Sequence, residues 1–263
     1  MEAAQKRTVY AFLRTAARSV WGVQPGVFDR TPEFADDPAP ETEAQGSPAA
    51  PEPPAEAFPQ GPARTAPADT IAGIDREIAS CRACTLCRTR TRTVGGTGAL
   101  RPLVLVVGEA PGREEDEQGL PFVGRAGKLL DDMLRAISLS RETNCFIANT
   151  IKCRPPDNRD PLPEEEAACF HFLERQIAAL KPRAILASGR VALGRLVPAS
   201  EGITRSHGQF FDYRGIPLMP VFHPSFLLRD PSQKAAAWGD LKKFRALLRE
   251  LEPGYEQTWS AGR

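Results

Sequence analysis

Four short apolar runs constrain this chain more than any other feature. LVLVV (103–107), CFIAN (145–149), AILAS (184–188) and LMPVF (218–222) each have the length of a buried strand. Helical periodicity occupies the intervals and the tail, over 126–137, 163–180, 191–196 and the amphipathic, Lys/Arg-rich 234–251. Strands alternating with helices form parallel βαβ units, whose sheet must be covered on both faces. The expected fold class is therefore α/β: a three-layer α/β/α domain around a central, mostly parallel four-stranded sheet. Such sheets bind ligands beyond the carboxyl ends of their strands. Glu109, Asn149, Ser188 and His223 all stand at those ends.

The first of these runs leads into GEAPGREEDEQGLPFVGRAG (108–127), an acidic knot between glycine-bounded ends. Glycines after a strand often cradle phosphate, but the carboxylates here would repel it. Neither GxGxxG nor GxxxxGK[ST] is present, so no nucleotide fingerprint fits.

Upstream of residue 70 the chain cannot build a core. Residues 31–69 hold ten of the 25 prolines, eight carboxylates and one arginine, with Phe34 and Phe58 as the only large apolar side chains. Too little apolar surface is available there to offset ordering entropy, which predicts a disordered linker. Its net charge of −7 hides +8 on the other 224 residues, a mild basicity compatible with a polyanionic partner. Within residues 1–30, Val9, Phe12, Leu13, Ala16, Val20 and Trp21 recur at helical spacing. That short helix either folds back or docks a protein partner. The expected organisation is thus a helix in 1–30, a linker over 31–69, a domain over 70–252 and a flexible tail over 253–263. No apolar run reaches eighteen residues and the N-terminus has no signal-peptide core, so a cytoplasmic monomer away from any membrane is expected.

Six cysteines fall at 81, 84, 87, 145, 153 and 169. A cytosolic chain is a poor host for structural disulfides. CxxC at 81–84 with Cys153 and Cys169 is instead the pattern of a four-thiolate site drawn from two loops. Zinc and an iron–sulfur cluster both accept four cysteines, and spacing does not choose between them. Cys145 lies inside a predicted strand and reads as a small buried apolar residue. Cys87 could extend the motif to CxxCxxC but exceeds what a four-ligand site needs, and reads as a spectator.

Taken in order, CxxC, GEAPGREEDEQGLPFVGRAGKLL, NTIKCRPPDNRDPLPEEEAAC and FHPSFLLR resemble the family 4 uracil-DNA glycosylases, the iron–sulfur branch of that superfamily. The resemblance spans roughly residues 70–250. It implies a uracil-DNA glycosylase-like fold and a monofunctional enzyme that hydrolyses the N-glycosidic bond of uracil in single- or double-stranded DNA, leaving an abasic site for base excision repair. It also implies a structural 4Fe-4S cluster on Cys81, Cys84, Cys153 and Cys169, with the nearby Arg82, Arg88, Arg90 and Arg92 facing DNA phosphates.

A glycosylase must take the base out of the helix, read its edge and support the charge it acquires as the bond breaks. By resemblance, Gly108, Glu109 and Ala110 allow close backbone approach, and Phe122 stacks on the base. Glu115 would occupy the place of the thymine methyl and exclude it. Phe122 alone would pass for core, and the Glu114–Glu117 run for a solvated face; the other motifs reverse both readings. Asn149 offers one acceptor and two donors, the complement of uracil N3–H and O4. His223 would donate to uracil O2 as negative charge develops. Ser225, Leu227 and Arg229 resemble the loop that enters the helix, with Leu227 as the wedge. Many superfamily members carry Asp or Asn where this chain has Ala110, which leaves Glu109 as the carboxylate to guide the attacking water. Two alternatives accompany this reading: a glycosylase for another deaminated base such as hypoxanthine, and an inactive iron–sulfur nucleic-acid-binding module.

Overall fold

The structure, a computed structural model, describes residues 69–198 and 200–260. The helix expected in 1–30 and, apart from Asp69, the linker expected over 31–69 lie outside the described residues, and the partner expected there goes with them.

The four apolar runs become β2 (Val104–Gly108), β3 (Cys145–Asn149), β4 (Ala184–Ser188) and β6 (Ile216–Val221), a parallel core in the order β3-β2-β4-β6. The sheet has six strands rather than four. β1 (Thr97–Gly98) adds to β3 and β5 (Phe211–Tyr213) to β6, both antiparallel. Two- and three-residue edge strands carry too little apolar pattern to be legible as runs. Antiparallel edges on a parallel sheet are a common completion.

Alternation along the strands feeds two cores. Val104, Val106, Cys145 and Ile147 face α3 (Arg125–Arg135) and α8 (Lys234–Leu251), meeting Leu130, Leu134, Phe244 and Leu248. Leu105, Val107, Phe146 and Ala148 face α4 (Pro163–Leu180) and α5 (Arg190–Leu196), meeting Leu173, Ile177 and Ala192. Cys145 is fully buried, as its strand position requires. A third, smaller cluster packs Ile74 and Ile78 of α1 (Ile71–Ser80) with Leu86, Ile151, Cys153, Cys169 and Phe172. The Thr70 hydroxyl caps α1, and Arg175 of α4 binds both Asp69 and Glu77 to hold that helix in place.

The acidic knot is itself helical. Glu114, Glu115 and Asp116 occupy the first turn of α2 (Arg113–Gln118), where negative charge faces the unpaired amides of a helix start. The C-terminal segment also differs from the flexible tail expected over 253–263. It turns into α9 (Tyr255–Ser260), and Tyr255 is buried with its hydroxyl donating to the Ile137 carbonyl at 2.9 Å. One anchored aromatic side chain is enough to pin a short tail.

Candidate active site and cysteine centre

The strand register sets the site. Gly108 closes β2 directly opposite Asn149, which closes β3. Thr150 then stitches the two strand ends together, its amide donating to the Gly108 carbonyl at 2.9 Å and its hydroxyl to the Glu109 carbonyl at 2.6 Å. A side chain at Gly108 would collide with the Asn149 amide oxygen and the Phe122 ring, so glycine is what lets these two groups close on one spot.

Phe122 is presented by an unusual backbone. Its φ of 53° lies in the left-handed region, which a bulky side chain rarely adopts. Three devices hold it there. Arg141 donates to the Pro121 and Phe122 carbonyls at 2.9 and 3.0 Å. Glu115 accepts from the amides of Val123 and Gly124. Gly127 leaves space that any Cβ would take from the Phe122 carbonyl. Strain that is over-determined in this way is characteristic of functional sites.

Glu115 accordingly differs from its expected role. Its carboxylate also accepts from the Gly112 amide at 3.0 Å, so it clamps three backbone donors of the loop. It still borders the cavity, but its oxygens are committed to the loop. Asp116 does similar work, buried and accepting from the amides of Thr91 and Arg92. Two members of the acidic knot, Glu115 and Asp116, are thus loop clamps, while Glu114 and Glu117 are exposed.

After the single turn of α6 (Ile203–Ser206), His223 caps α7 (Pro224–Arg229). Its Nδ1 accepts from the Ser225 amide at 3.1 Å and sits 2.7 Å from the Ser225 hydroxyl. An Nδ1 that accepts leaves the proton on Nε2, so the ring presents a donor on its other side. Burial, with a smaller contribution from the positive charge of Arg229, lowers the imidazole pKa to about 4. The ring is therefore neutral at physiological pH, and its centroid lies 5.6 Å from that of Phe122.

These groups line a cavity of about 790 Å³, together with Glu109, Ala110, Arg190 and Arg229. The Asn149 amide oxygen is buried there without a hydrogen-bond partner, an expensive state for a protein to hold unless a ligand supplies the donor. Burial raises the Glu109 carboxyl pKa above the ordinary value, Asp160 and Glu166 adding to the rise and Arg190 opposing it.

Three expected contacts fall elsewhere. Leu227 is 2% exposed and packs into the main core, so it cannot be a wedge in this conformation; its neighbour Leu228 is 36% exposed and borders the cavity. Helix α7 is the reason: Pro224 and Leu227, three residues apart, share its inner face, and Leu228 turns outward. Ser225 is engaged with His223. Arg90 points inward, donating to Cys153 Sγ at 3.0 Å and to the Cys81 carbonyl at 2.8 Å, whereas Arg88 and Arg229 are exposed. Sequence reasoning missed Arg125, Asn158 and Arg159 at the cavity wall. Asn158 and Asp157 both take left-handed φ values, and only the NR dipeptide before DP hinted at a shaped turn.

Cys81, Cys84, Cys153 and Cys169 border a second, small cavity together with Cys87, Arg90 and Lys152. Burial pushes the thiols of Cys84 and Cys153 up, and that of Cys169 up to about 11. Two donors already address the sulfurs: Arg90 at Cys153, and the Lys152 amide at Cys169, 3.3 Å away. Buried sulfurs facing donors and two cations suit thiolates bound to a metal centre. Among the described residues, no three His, Cys, Asp or Glu side chains converge as ligands of a single ion. A multi-iron cluster, whose thiolates bind separate irons, needs no such convergence. The donor set fits it.

The family model of the uracil DNA glycosylase superfamily matches residues 96–247. A type-4 uracil-DNA glycosylase of Thermotoga maritima is 42% identical over 181 residues, covering 67% of this chain and 94% of that protein. Another of Archaeoglobus fulgidus is 39% identical over 193 residues, 70% of this chain and 96% of its own. A type-5 uracil-DNA glycosylase of Pyrobaculum aerophilum is more distant, 31% identical over 150 residues, 51% of this chain and 66% of that protein.

Proposed function

Given that the chain belongs to the uracil DNA glycosylase superfamily, in its type-4 branch, we propose that it removes uracil from DNA by hydrolysing the N-glycosidic bond. The observation that carries this reading is the buried, unpartnered Asn149 amide oxygen beside a neutral His223 with its outward nitrogen free to donate.

A flipped uracil enters the 790 Å³ cavity and stacks on Phe122. Asn149 accepts from N3–H and donates to O4. Cytosine reverses both groups, and a buried mismatch on two polar groups is rejected strongly. As the bond from C1′ to N1 breaks, its electron pair delocalises onto N1 and O2. The His223 Nε2–H donates to O2 and stabilises that charge, more strongly in the transition state than in the bound substrate. Glu109 orients the water that attacks C1′ and takes its proton, a role served by a carboxyl pKa raised towards the working pH. Gly108 and Ala110 keep the strand end narrow. Glu115 acts through the loop, excluding the thymine methyl by fixing the wall. Leu228 takes the wedge role first assigned to Leu227, and Arg88 and Arg229 contact phosphates.

Cys81, Cys84, Cys153 and Cys169 would hold a 4Fe-4S cluster, which when bound cross-links the CxxC segment to α4 and places an anionic centre there. The reading draws its site groups from one chain and needs no second copy. The reduced thiols such a centre needs are those of a reducing compartment such as the cytoplasm. Among the described residues no helix is long and apolar enough to cross a membrane.

Incubating the protein with oligonucleotides carrying uracil, thymine or hypoxanthine, then cleaving abasic sites with alkali, tests the reading. Strand scission at uracil alone is expected. Scission only at hypoxanthine, or none with a fully loaded centre, overturns it.

A further inference from the structure

Lys152 is a lysine in a place lysines rarely occupy, 1% exposed between the base pocket and the cysteine centre. Its ammonium donates to the Asn149 carbonyl at 2.8 Å and to Gln176 Oε1 at 2.7 Å. Gln176, fully buried on α4, passes its own amide to the Gly95 carbonyl at 2.9 Å. The Lys152 backbone reaches the other way, its N–H donating to Cys169 Sγ at 3.3 Å. One residue thus touches the peptide of Asn149 and a ligand of the proposed centre.

Both acceptors of that ammonium are neutral. A buried full charge held only by neutral groups is costly, and it persists where an opposite charge lies close by. Asp75 of α1 and, as a thiolate, Cys169 are the groups whose charge opposes it. Lys152 is therefore held electrostatically by Cys169 and Asp75 and geometrically by Asn149 and Gln176.

We infer that Lys152 is a positioning residue for base recognition, a strut through which the cysteine centre fixes where the Asn149 amide stands. This deepens the proposed function and rests on it. The strut explains how a centre remote from the chemistry contributes to it: Cys169 holds the backbone of a residue whose side chain hydrogen-bonds the end of β3.

Binding rather than turnover tests this, using anaerobically purified full chain with its visible absorbance and iron content recorded. The probes are an oligonucleotide carrying 2′-fluoro-deoxyuridine, whose glycosidic bond resists cleavage, and the same strand with a tetrahydrofuran abasic analogue. The ratio of their affinities isolates recognition of the base. Lys152→Met should keep the affinity for the abasic strand and lower the uracil preference about ten- to hundredfold, the worth of a hydrogen bond to a charged group. Asn149→Ala should lower the preference at least as far, leaving the share due to Phe122 and His223, and adding Lys152→Met to it should change nothing further, because the strut acts only through Asn149. Additive losses, or an undiminished preference in Lys152→Met, overturn the inference. Should Lys152→Met fail to fold, Gln176→Met decides: it keeps the charge and removes one anchor, and a preserved absorbance with a weakened preference is expected. A preference unchanged in Gln176→Met overturns the strut. A wild-type chain with no uracil preference overturns the functional reading itself.

Discussion

The two cavities share the segment from Asn149 to Cys169, yet they treat polar groups in opposite ways. In the base pocket, polar groups are left waiting: the Asn149 amide oxygen is unpartnered and His223 keeps one nitrogen free. In the cysteine pocket, groups are tied to one another, Arg90 to Cys153 and to the Cys81 carbonyl, Lys152 to Asn149 and Gln176. A surface that must recognise a transient ligand holds unmet hydrogen bonds, which are costly until the ligand arrives. A surface that holds a permanent centre has no reason to bear that cost. The contrast is the one that the proposed recognition site and the proposed structural centre would require.

Breaking the structural pocket should have the largest effect. Cys153→Ser should abolish the broad absorbance near roughly 400 nm where thiolate-to-iron charge transfer occurs, and the cooperative thermal transition should go with it. Cys87→Ser should leave both intact. A colourless wild-type protein with one stoichiometric zinc would remove the cluster from this picture. Next comes the recognition pocket. Asn149→Asp replaces two donors with a carboxylate, so single-turnover uracil excision should fall by about 10⁴-fold, the discrimination available to a buried polar site. The residual activity should shift towards cytosine, whose amino group can donate to that carboxylate. An Asn149→Asp protein that still excises uracil at wild-type rate would show that the unmet amide oxygen is not a recognition group.

His223→Ala should act only on the departing charge, lowering the single-turnover rate by about 10²–10³-fold while leaving DNA affinity nearly unchanged. Its pH behaviour sharpens the assignment. The imidazole titrates near 4 in the folded chain and at 6.5 when unperturbed, so the unfolded chain binds more protons between these values. The stability contributed by the neutral ring is complete above about 6.5 and is lost as pH falls towards 4. Over that window His223→Ala should lose less melting temperature than the wild type. If Glu109 is the base, the acid limb of the wild-type rate should follow its carboxyl, whose pKa burial raises above the ordinary value. Glu109→Gln should abolish that limb together with most of the rate. A limb that survives in Glu109→Gln assigns the base elsewhere.

Much of this comparison was legible in the sequence, and the losses have physical causes. The four buried strands were readable because both their faces are covered, leaving continuous apolar runs. The edge strands were not, since Thr97–Gly98 and Phe211–Tyr213 owe their conformation to the neighbouring strand rather than to their own pattern. The four cysteines expected as ligands from spacing and resemblance border one cavity, and Cys87 borders it with them. Arg90 was misread because an arginine in a basic run is by default a solvated one; only its sulfur contact shows that it points inward. Lys152 was missed for the same reason. The loop contacts of Glu115 and Asp116 were the least legible, because carboxylates that bind backbone amides cannot be told by composition from carboxylates that face a ligand or water.

Leu227 and Leu228 offer the finest test of the comparison, since adjacent residues of one short helix fall on opposite sides of it. Leu227 is part of the core, so Leu227→Ala should destabilise the domain by about 2–5 kcal/mol through lost burial and the cavity left behind. Leu228 is 36% exposed and outside the core, and Leu228→Ala should cost about 1 kcal/mol, less than Leu227→Ala. Its main effect should appear on DNA. A wedge fills the space a flipped base vacates, which matters where stacking and pairing must be broken and hardly at all in a flexible single strand. Leu228→Ala should therefore slow uracil excision from duplex by about tenfold more than from single-stranded substrate, the share of a few kcal/mol of unstacking that one apolar side chain can offset. Equal slowing on both substrates would make Leu228 a pocket-wall residue. A duplex-specific defect in Leu227→Ala with stability unchanged would mean that α7 unwinds on DNA to deliver Leu227 as first expected.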